Sequence, residues 1–528
     1  MKRIVSLVLA LAMVLSLCIF TTASADNGFV DGKFTETRHI TVEVYNRYND
    51  GGSDPTSSVY AQYIKQGMLD KYNVDVELVS VGRWTEVDDL NNLLATGDAP
   101  DVCVTYSYPT IQTFAGMDGI IDLNPLLTEY KDLLPDLWAL LGDYNIYYDQ
   151  DPETGSVWAI EAVLAESARI NTFIRKDWLD KLGLALPTTE AEFHDCLELL
   201  LGADAAKMVP FSISTDIGWR ADLLNVSKVP EDVSDETLYV YGYDDRHLLY
   251  PNYKEGIRVL NQWYNEGLIW KDFALYTDAS VEDDMMKSGF VGAFIHNWDY
   301  PYRNGEDSIQ ANLTRANGAD AGFIAVDCFQ NDAGITRKYL ADRIDRKVFF
   351  PATNDEPLAS LLYLNFISSE ETIKFLQTGK EGVTYKMTDN GAYEMLNATG
   401  EWIMNSGMNI DHTITVNGLY LGDATAATKA LSYPGVNPDF IITANTYGKL
   451  NGRIVKKFSC GAISAEEDVG TSLNSKRDAM LTQAVVAPVD QFDSVYDKGM
   501  ADYLASGGQN IIDERREKLE AIYGVHVD

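Results

Sequence analysis

An α/β fold divided among two or three domains or lobes is what the sequence predicts, and three observations carry that prediction. Residues 39–104 run strand, helix, strand, helix, strand, the alternation that builds parallel sheets. A chain of 528 residues is too long for one core. Neither an internal repeat nor a low-complexity linker divides it, so the lobes are expected to exchange strands rather than follow one another as beads.

Residues 39–45 (HITVEVY) alternate as a strand, and the Asn-, Asp- and Gly-rich 46–55 are a loop at its end. Ser57 is placed to cap a helix reaching about Tyr72, and 74–81 (VDVELVSV) form a second strand, with Trp84 just beyond. The next helix starts near Thr85. Leu90, Leu93 and Leu94 recur at helical spacing, Gly97 sits where a C-cap takes φ > 0, and Pro100 bars continuation. Val102, Cys103 and Val104 then read as a buried parallel strand, and Thr105 to Tyr108 form a polar, aromatic tip at its carboxyl end. Open α/β sheets hold ligands at that end, so the tip is the first candidate site.

Helical pieces follow near 111–114 and 129–141, and 144–160 reads as a hairpin. The acids of its loop, DQDPETG at 149–155, resemble calcium ligands, but the spacing is not that of an EF-hand loop and a solvated turn is expected. Residues 174–184 carry a strand end into a short helix. Thr189 and Glu192 make a capping box for the helix that ends near Gly202. Beyond it, 208–214 begin a core segment, 239–243 read as a strand, and 252–266 as a helix closed by Gly267. The run 290–295 is a buried strand leading into HNWDYPY, and 358–366 is an apolar helix. The last helical region, 501–523, is interrupted at Gly507-Gly508.

With 46% hydrophobic and 23% charged residues the chain is globular. Its formal charge of −37 repels nucleic acid and anionic lipid, so neither is an expected partner. Residues 1–25 read as a secretory signal: Lys2 and Arg3 precede an uncharged run, and Ala23-Ser24-Ala25 is a small-residue cleavage site. An uncleaved anchor is the alternative reading, because the run is nearly long enough to span. Cys18 invites a lipid anchor, but the bulky Leu17 before it argues against one. Cys103, Cys196, Cys328 and Cys460 are scattered, form no CxxC pattern and do not reveal any pairing; small buried hydrophobes are expected. No GxSxG, HExxH or GxxxxGK[ST] motif occurs and the six His residues lack ligand spacing, so neither catalytic residues, metal nor cofactor is expected. A secreted glycoside hydrolase stays open as the alternative function, since 79 acidic residues offer carboxylate pairs on any fold.

Four stretches in order, ATGDAPDV (95–102), IRKDWLDKLGLALPTTEAEF (174–193), NQWYNEGLIWKDF (261–273) and GKEGVTYKMTDNG (379–391), resemble the family 1 extracellular solute-binding proteins of bacterial ABC importers. The last is similar to the larger, oligosaccharide-binding branch. The resemblance implies a periplasmic-binding-protein fold of two α/β lobes with a hinge of three crossover strands, placed near 162–169, 347–351 and about residue 400. It divides the chain into a signal (1–25), a first lobe (26–163 and 349–400) and a second lobe (164–348 and 401–528). It implies a monomer at the cell surface or in the periplasm, with a carbohydrate solute and the membrane permease subunits as partners. Alginate-binding relatives carry a calcium loop after the helix that ends here at Gly202. The corresponding 202–208 holds one carboxylate, Asp204, so no structural ion is expected there.

Sugars are held by flat aromatic faces and a few planar polar groups. The resemblance and strand-end positions select Trp84, Tyr106 and Ser107 in the first lobe, Trp158 and Arg169 about the first crossover, and Trp219 (beside Arg220), Trp298 and Tyr300 (with Asp299) in the second. Trp178 and Trp263, inside helical motifs, are assigned to the core. Trp84 and Trp158 suit packing as well as ligand, and Arg169 suits a lobe-bridging ion pair as well as a solute contact.

Overall fold

The structure, a computed structural model, describes residues 28–528 apart from 48–53, 204–207, 245, 277–279, 304–306, 388–392, 397, 408, 421–436, 459, 462 and 528. The signal at 1–25 with Cys18, and Asp204 with the loop around it, lie outside the described residues.

Two sheets organise the chain, built from β1 (Arg38–Asn46), β2 (Val74–Gly82), β3 (Cys103–Thr105), β4 (Ile160–Leu164), β5 (Ile170–Arg175), β6 (Val209–Ser212), β7 (Val291–Asn297), β8 (Phe323–Val326), β9 (Ile344–Phe349) and β10 (Val416–Asn417). The first runs β2-β1-β3-β9-β4-β10. A bridge between Val42 and Val102 joins β1 to β3, with the Glu43 amide donating to the Val102 carbonyl at 2.9 Å. The second runs β6-β7-β5-β8, and Ile269 bridges to Phe211 at its outer edge. In the first sheet β9 is antiparallel to β3 and β4, and in the second β5 is antiparallel to β7 and β8. Each antiparallel strand has just arrived from the other lobe, so the carboxyl ends of the remaining strands face each other across a cleft. The predicted two-lobed α/β class is what is observed.

The alternation of β2 buries Val74, Val76 and Leu78 and exposes the residues between, as the hydrophobic pattern requires. Gly97 closes the helix Glu86–Thr96 at φ 76°, and Gly267 closes Tyr253–Glu266 at φ 88°. The capping box forms: the Glu192 carboxylate accepts from the Thr188 amide at 2.8 Å while the Glu192 amide donates to Thr189 Oγ1 at 3.3 Å. The helix expected to start at Ser57 is capped instead by Ser58, whose hydroxyl accepts from the Ala61 amide. Gly507, at φ 128°, interrupts the C-terminal helical run as expected. The four cysteines are buried and free.

Two expected strands are helices. Residues 144–160 are not a hairpin: the helix Pro135–Ile146 continues to Ile146, and a turn follows in which Asp151 Oδ1 accepts the amides of Glu153 and Thr154 at 2.8 Å each. Buried Asn145 decides the first part, because its amide donates to the carbonyls of Glu161, Ala162 and Arg343 and so needs the helical position. Likewise 239–241 of the expected strand 239–243 belong to the helix Asp235–Tyr241, capped by Ser234; this helix packs on the last helix, Gln509–Tyr523, and that burial overrides strand propensity.

The chain crosses between lobes at 165–169 and 341–343, and these crossings lie side by side. The Leu164 amide donates to the Arg343 carbonyl at 3.0 Å, and the Ala341 amide to the Ser167 carbonyl at 2.9 Å. The second crossing precedes the expected 347–351 because β9 already belongs to the first sheet. The third follows Asn417 rather than residue 400. Val416 and Asn417 pair with β4, Ile414 is buried in the first core, and Trp402 packs on it, whereas the helix Pro438–Lys449 packs on β8 and β5 of the second lobe.

Candidate functional site

On the first lobe the carboxyl ends of β1, β2 and β3 bring Tyr45, Arg47, Arg83, Trp84 and Tyr106 together. Trp84 is 69% exposed, which leaves its ring no packing role in the core. The Arg83 guanidinium carbon lies 5.2 Å from the Trp84 ring centroid and 4.0 Å from that of Tyr106. Tyr106 in turn stacks on buried Tyr45 at 6.2 Å and 17°. Glu86 Oε1 accepts from the Tyr106 amide at 2.9 Å and from Thr105 Oγ1 at 3.1 Å, while Oε2 stands 3.6 Å from Arg83. Arg47 grips fully buried Asp411 with two hydrogen bonds, of 2.7 and 2.9 Å. Wholly buried Arg346 donates to the Val416 carbonyl at 2.8 Å and lies 3.8 Å from both Asp345 and Asp411. Burial raises the pKa of Asp345 despite Arg346 beside it. Asn417 donates to Asp345 at 2.6 Å and reaches the Tyr106 hydroxyl at 3.5 Å.

On the second lobe Trp219 stands on the short helix Ile217–Arg220 that follows β6. Its indole N–H donates to Asn297 Oδ1 at 2.7 Å, and the guanidinium carbons of Arg246 and Arg169 lie 4.7 and 5.2 Å from its ring. Arg246 is held by Asp216 at 3.0 and 2.8 Å. Arg169 Nη1 approaches His247 Nε2 at 3.4 Å, and His247 Nδ1 meets buried Asp222 at 2.7 Å. Burial opposes the charge on Asp222, yet His247 with Arg169 and Arg246 holds its carboxyl below the usual range. His247 therefore donates to Asp222 through Nδ1 and accepts from Arg169 through Nε2. Tyr300 stacks on His296, with centroids 3.4 Å apart and planes at 5°, and its hydroxyl donates to Asp283 at 2.8 Å. Burial, with Arg220 and Arg303 nearby, keeps His296 neutral.

Of the eight sequence-selected residues, Trp84 and Tyr106 meet on one lobe, and Arg169 and Trp219 on the other. Tyr300 stands with His296 beside them, its hydroxyl committed to Asp283. Three are placed otherwise. Ser107 spends its hydroxyl capping the helix Tyr108–Gly116, where it accepts from the Thr110 amide at 3.3 Å. Trp298 is 6% exposed and packs in a second-lobe core, because its own amide is tied to the Arg169 carbonyl and its ring turns away from the cleft edge into that core. Trp158 lies before β4, not at a strand's carboxyl end, and lines a side crevice. Sequence reasoning missed Arg83, Arg246 and Asp411. Adjacency to Trp84 was a usable signal for Arg83, while nothing local marks Asp411, which sits hundreds of residues from Arg47. Trp263 is buried as assigned, whereas Trp178 only packs, half-buried, against the same core.

Among the described residues, one grouping has three potential metal-ligand atoms within 4.8 Å: His194, Asp195 and Glu198. It lies on the helix Glu190–Ala203, and His194 Nε2 is already held by Glu266 at 2.8 Å. Among the described residues no helix is long and apolar enough to cross a membrane.

No family model matches the chain. Lipoprotein LipO of Bacillus subtilis (strain 168) is 22% identical over 341 residues, a match spanning 61% of this chain and 64% of LipO's own length. Solved structures align over far more. The alginate-binding protein AlgQ2, without calcium, superposes with a TM-score of 0.60 at 16% identity, over 90% of this chain and 98% of that one. An HMO-binding, ABC-transporter-associated solute-binding protein from Bifidobacterium longum infantis gives 0.63 at 15%, over 92% and 99%. The S. pneumoniae ABC-transporter substrate-binding protein FusA, solved with kestose, gives 0.64 at 14%, over 92% and 100%. The chain has the fold of an extracellular solute-binding protein. In this solute-binding fold the two aromatic-and-arginine faces stand on different lobes, and Arg47 and Arg246 are each paired with a carboxylate of their own lobe.

Proposed function

We propose that this protein is the extracytoplasmic substrate-binding component of a bacterial ABC transporter, capturing a carbohydrate between its lobes and presenting it to the membrane permease. The observation that carries this reading is Trp84, a large aromatic left open at a strand's carboxyl end and backed by Arg83, with a second aromatic-and-arginine group around Trp219 on the other lobe. Aromatic faces bind the C–H surfaces of sugars, and arginines already engaged by carboxylates offer their remaining N–H groups to hydroxyls without demanding a charged solute. Three relatives of this fold, whose names record alginate, HMO and kestose as what they hold, support an oligosaccharide over a monosaccharide. Export is supported by the basic, apolar start of the sequence and by a lipoprotein relative. The protein works as a monomer and without catalysis, solute binding shifting the population toward the closed lobes.

A thermal-shift screen of residues 26–528 against mono- and oligosaccharides, with product analysis of each hit, tests the reading. A ligand at ~100 times its Kd stabilises the fold by ~2.7 kcal/mol. A stabilising sugar recovered intact is the expected result, and one recovered as shorter products would instead establish a hydrolase.

A further inference from the structure

A crevice of about 510 Å³ opens beside the cleft, between the lobes. Its first-lobe wall carries Tyr108, Asp149 and Trp158, and its second-lobe wall Tyr239, Lys457 and Phe458. The volume falls within the range of small-molecule sites, and aromatic rings from both lobes line it. Tyr108 begins the helix that leaves β3, two residues beyond Tyr106 of the strand-end face.

The cations that line the crevice each face a carboxylate. Lys457 crosses from the second lobe to Asp149 at 3.5 Å and lies 4.4 Å from the Tyr148 ring. Arg515 is paired with Glu466 and donates to the Tyr239 carbonyl at 2.7 Å. Asp151 is occupied by two backbone amides. What stays on offer is ring faces, half-buried Trp158 among them, with the neutral side chains of Tyr108 and Gln112. Such a surface suits an uncharged ligand with an apolar face and a hydroxyl rim, and a carboxylated sugar would find no unpaired cation.

We propose that this crevice is a further sugar subsite, taking a neutral glycosyl unit of an oligosaccharide whose other units occupy the strand-end cleft. The proposal rests on the carbohydrate reading above and adds to it that the solute is a neutral oligosaccharide long enough to pass Tyr108. Because both lobes build the subsite, its occupation also favours closure.

Isothermal calorimetry of the full mature chain tests it, with neutral gluco-, fructo- and galacto-oligosaccharide ladders from disaccharide to heptasaccharide and an oligouronate ladder of the same lengths. For the bound neutral ladder, affinity is expected to rise roughly tenfold or more from the shortest to the longest sugar, the equivalent of one added aromatic contact. Trp158→Ala and Phe458→Ala, one from each wall, should each abolish that rise while leaving the shortest sugar's affinity unchanged, whereas Trp84→Ala should weaken every length. Either variant suffices if the other fails to fold. A length dependence retained in a folded Trp158→Ala or Phe458→Ala protein overturns the subsite and leaves the carbohydrate reading standing. A stronger length dependence for the uronates than for any neutral ladder overturns the neutral class. Binding of none of these sugars by the wild-type chain overturns both readings.

Discussion

Arg83 stands over Tyr106 with its guanidinium carbon 4.0 Å from the ring centroid, close enough that the cation and ring are in direct contact. The same guanidinium faces Tyr45 at 5.3 Å and Trp84 at 5.2 Å, so one side chain ties the ends of three neighbouring strands together. Arg83→Ala removes that tie and leaves Trp84 with only the more distant Arg47, 5.9 Å from its ring, as a cationic neighbour. It should weaken solute binding by about 0.5–2 kcal/mol, the range of a cation–π contact, measured by calorimetry on the sugar identified in the thermal screen.

Trp84→Ala should separate binding from stability. Its ring is open to solvent, so the melting behaviour should stay within ~0.5 kcal/mol of wild type, as for other exposed positions. Sugar affinity should drop by ~1–3 kcal/mol, as for loss of a large aromatic anchor. A variant that melts early with undiminished affinity would reverse the assignment.

Trp298→Ala should behave in the opposite way. The residue is buried against Phe294, Tyr302 and their neighbours, so truncation leaves a cavity that should cost about 3–5 kcal/mol in urea unfolding. Trp298→Phe should recover part of that stability, with sugar affinity close to wild type.

Asp411 is the buried counter-charge of Arg47 and lies 3.8 Å from Arg346. Asp411→Asn keeps its shape and leaves two arginines short of a partner. Breaking a buried pair in this way should cost about 3–5 kcal/mol, read from denaturant midpoints. Arg47→Met should cost less, because Arg47 is partly solvated and Arg346 would keep Asp411 compensated.

The contribution of two buried histidines to stability should fall as the solution is acidified. Burial, with Arg220 and Arg303, holds His296 below its ordinary pKa, and burial does the same for His412, whose Nε2–H donates to the Pro55 carbonyl at 2.7 Å. Both stay neutral in the folded chain but take up protons when unfolded, near pH ~6.5. The unfolded state then binds more protons, so their contribution is intact above ~6.5 and is lost below it, by up to ~1.4 kcal/mol per pH unit for each histidine. Urea unfolding between about pH 7.5 and about pH 5.5 measures this slope. His412→Gln should flatten it relative to wild type, and an unchanged slope would show that His412 is protonated in the fold.

Local chemistry made much of this legible beforehand. Gly97 and Gly267 end helices because only a residue without a Cβ accepts φ near 80° cheaply, and Thr189 with Glu192 begins one because their atoms satisfy each other's amides. The errors came where distant residues decide. The run at 239–243 has strand-forming composition, yet packing on the C-terminal helix keeps 239–241 helical. Trp298 had the polar, strand-end context of a ligand contact, and only the packed core around it shows the ring turned inward.

The sequence by itself determined the α/β alternation, a length too great for one core, the strand-end positions of Trp84 and Tyr106 and the burial expected of scattered cysteines. These follow from periodicity, turn chemistry and composition, all of which act over a few residues. Tertiary structure alone decided which aromatic faces solvent, that Asp411 answers Arg47, that 401–417 stays in the first lobe, and that Tyr108 and Trp158 meet Tyr239 and Phe458 across a crevice. Those outcomes depend on which distant groups are buried together. Burial energy is a property of the assembled surfaces, and no short window of the chain contains it.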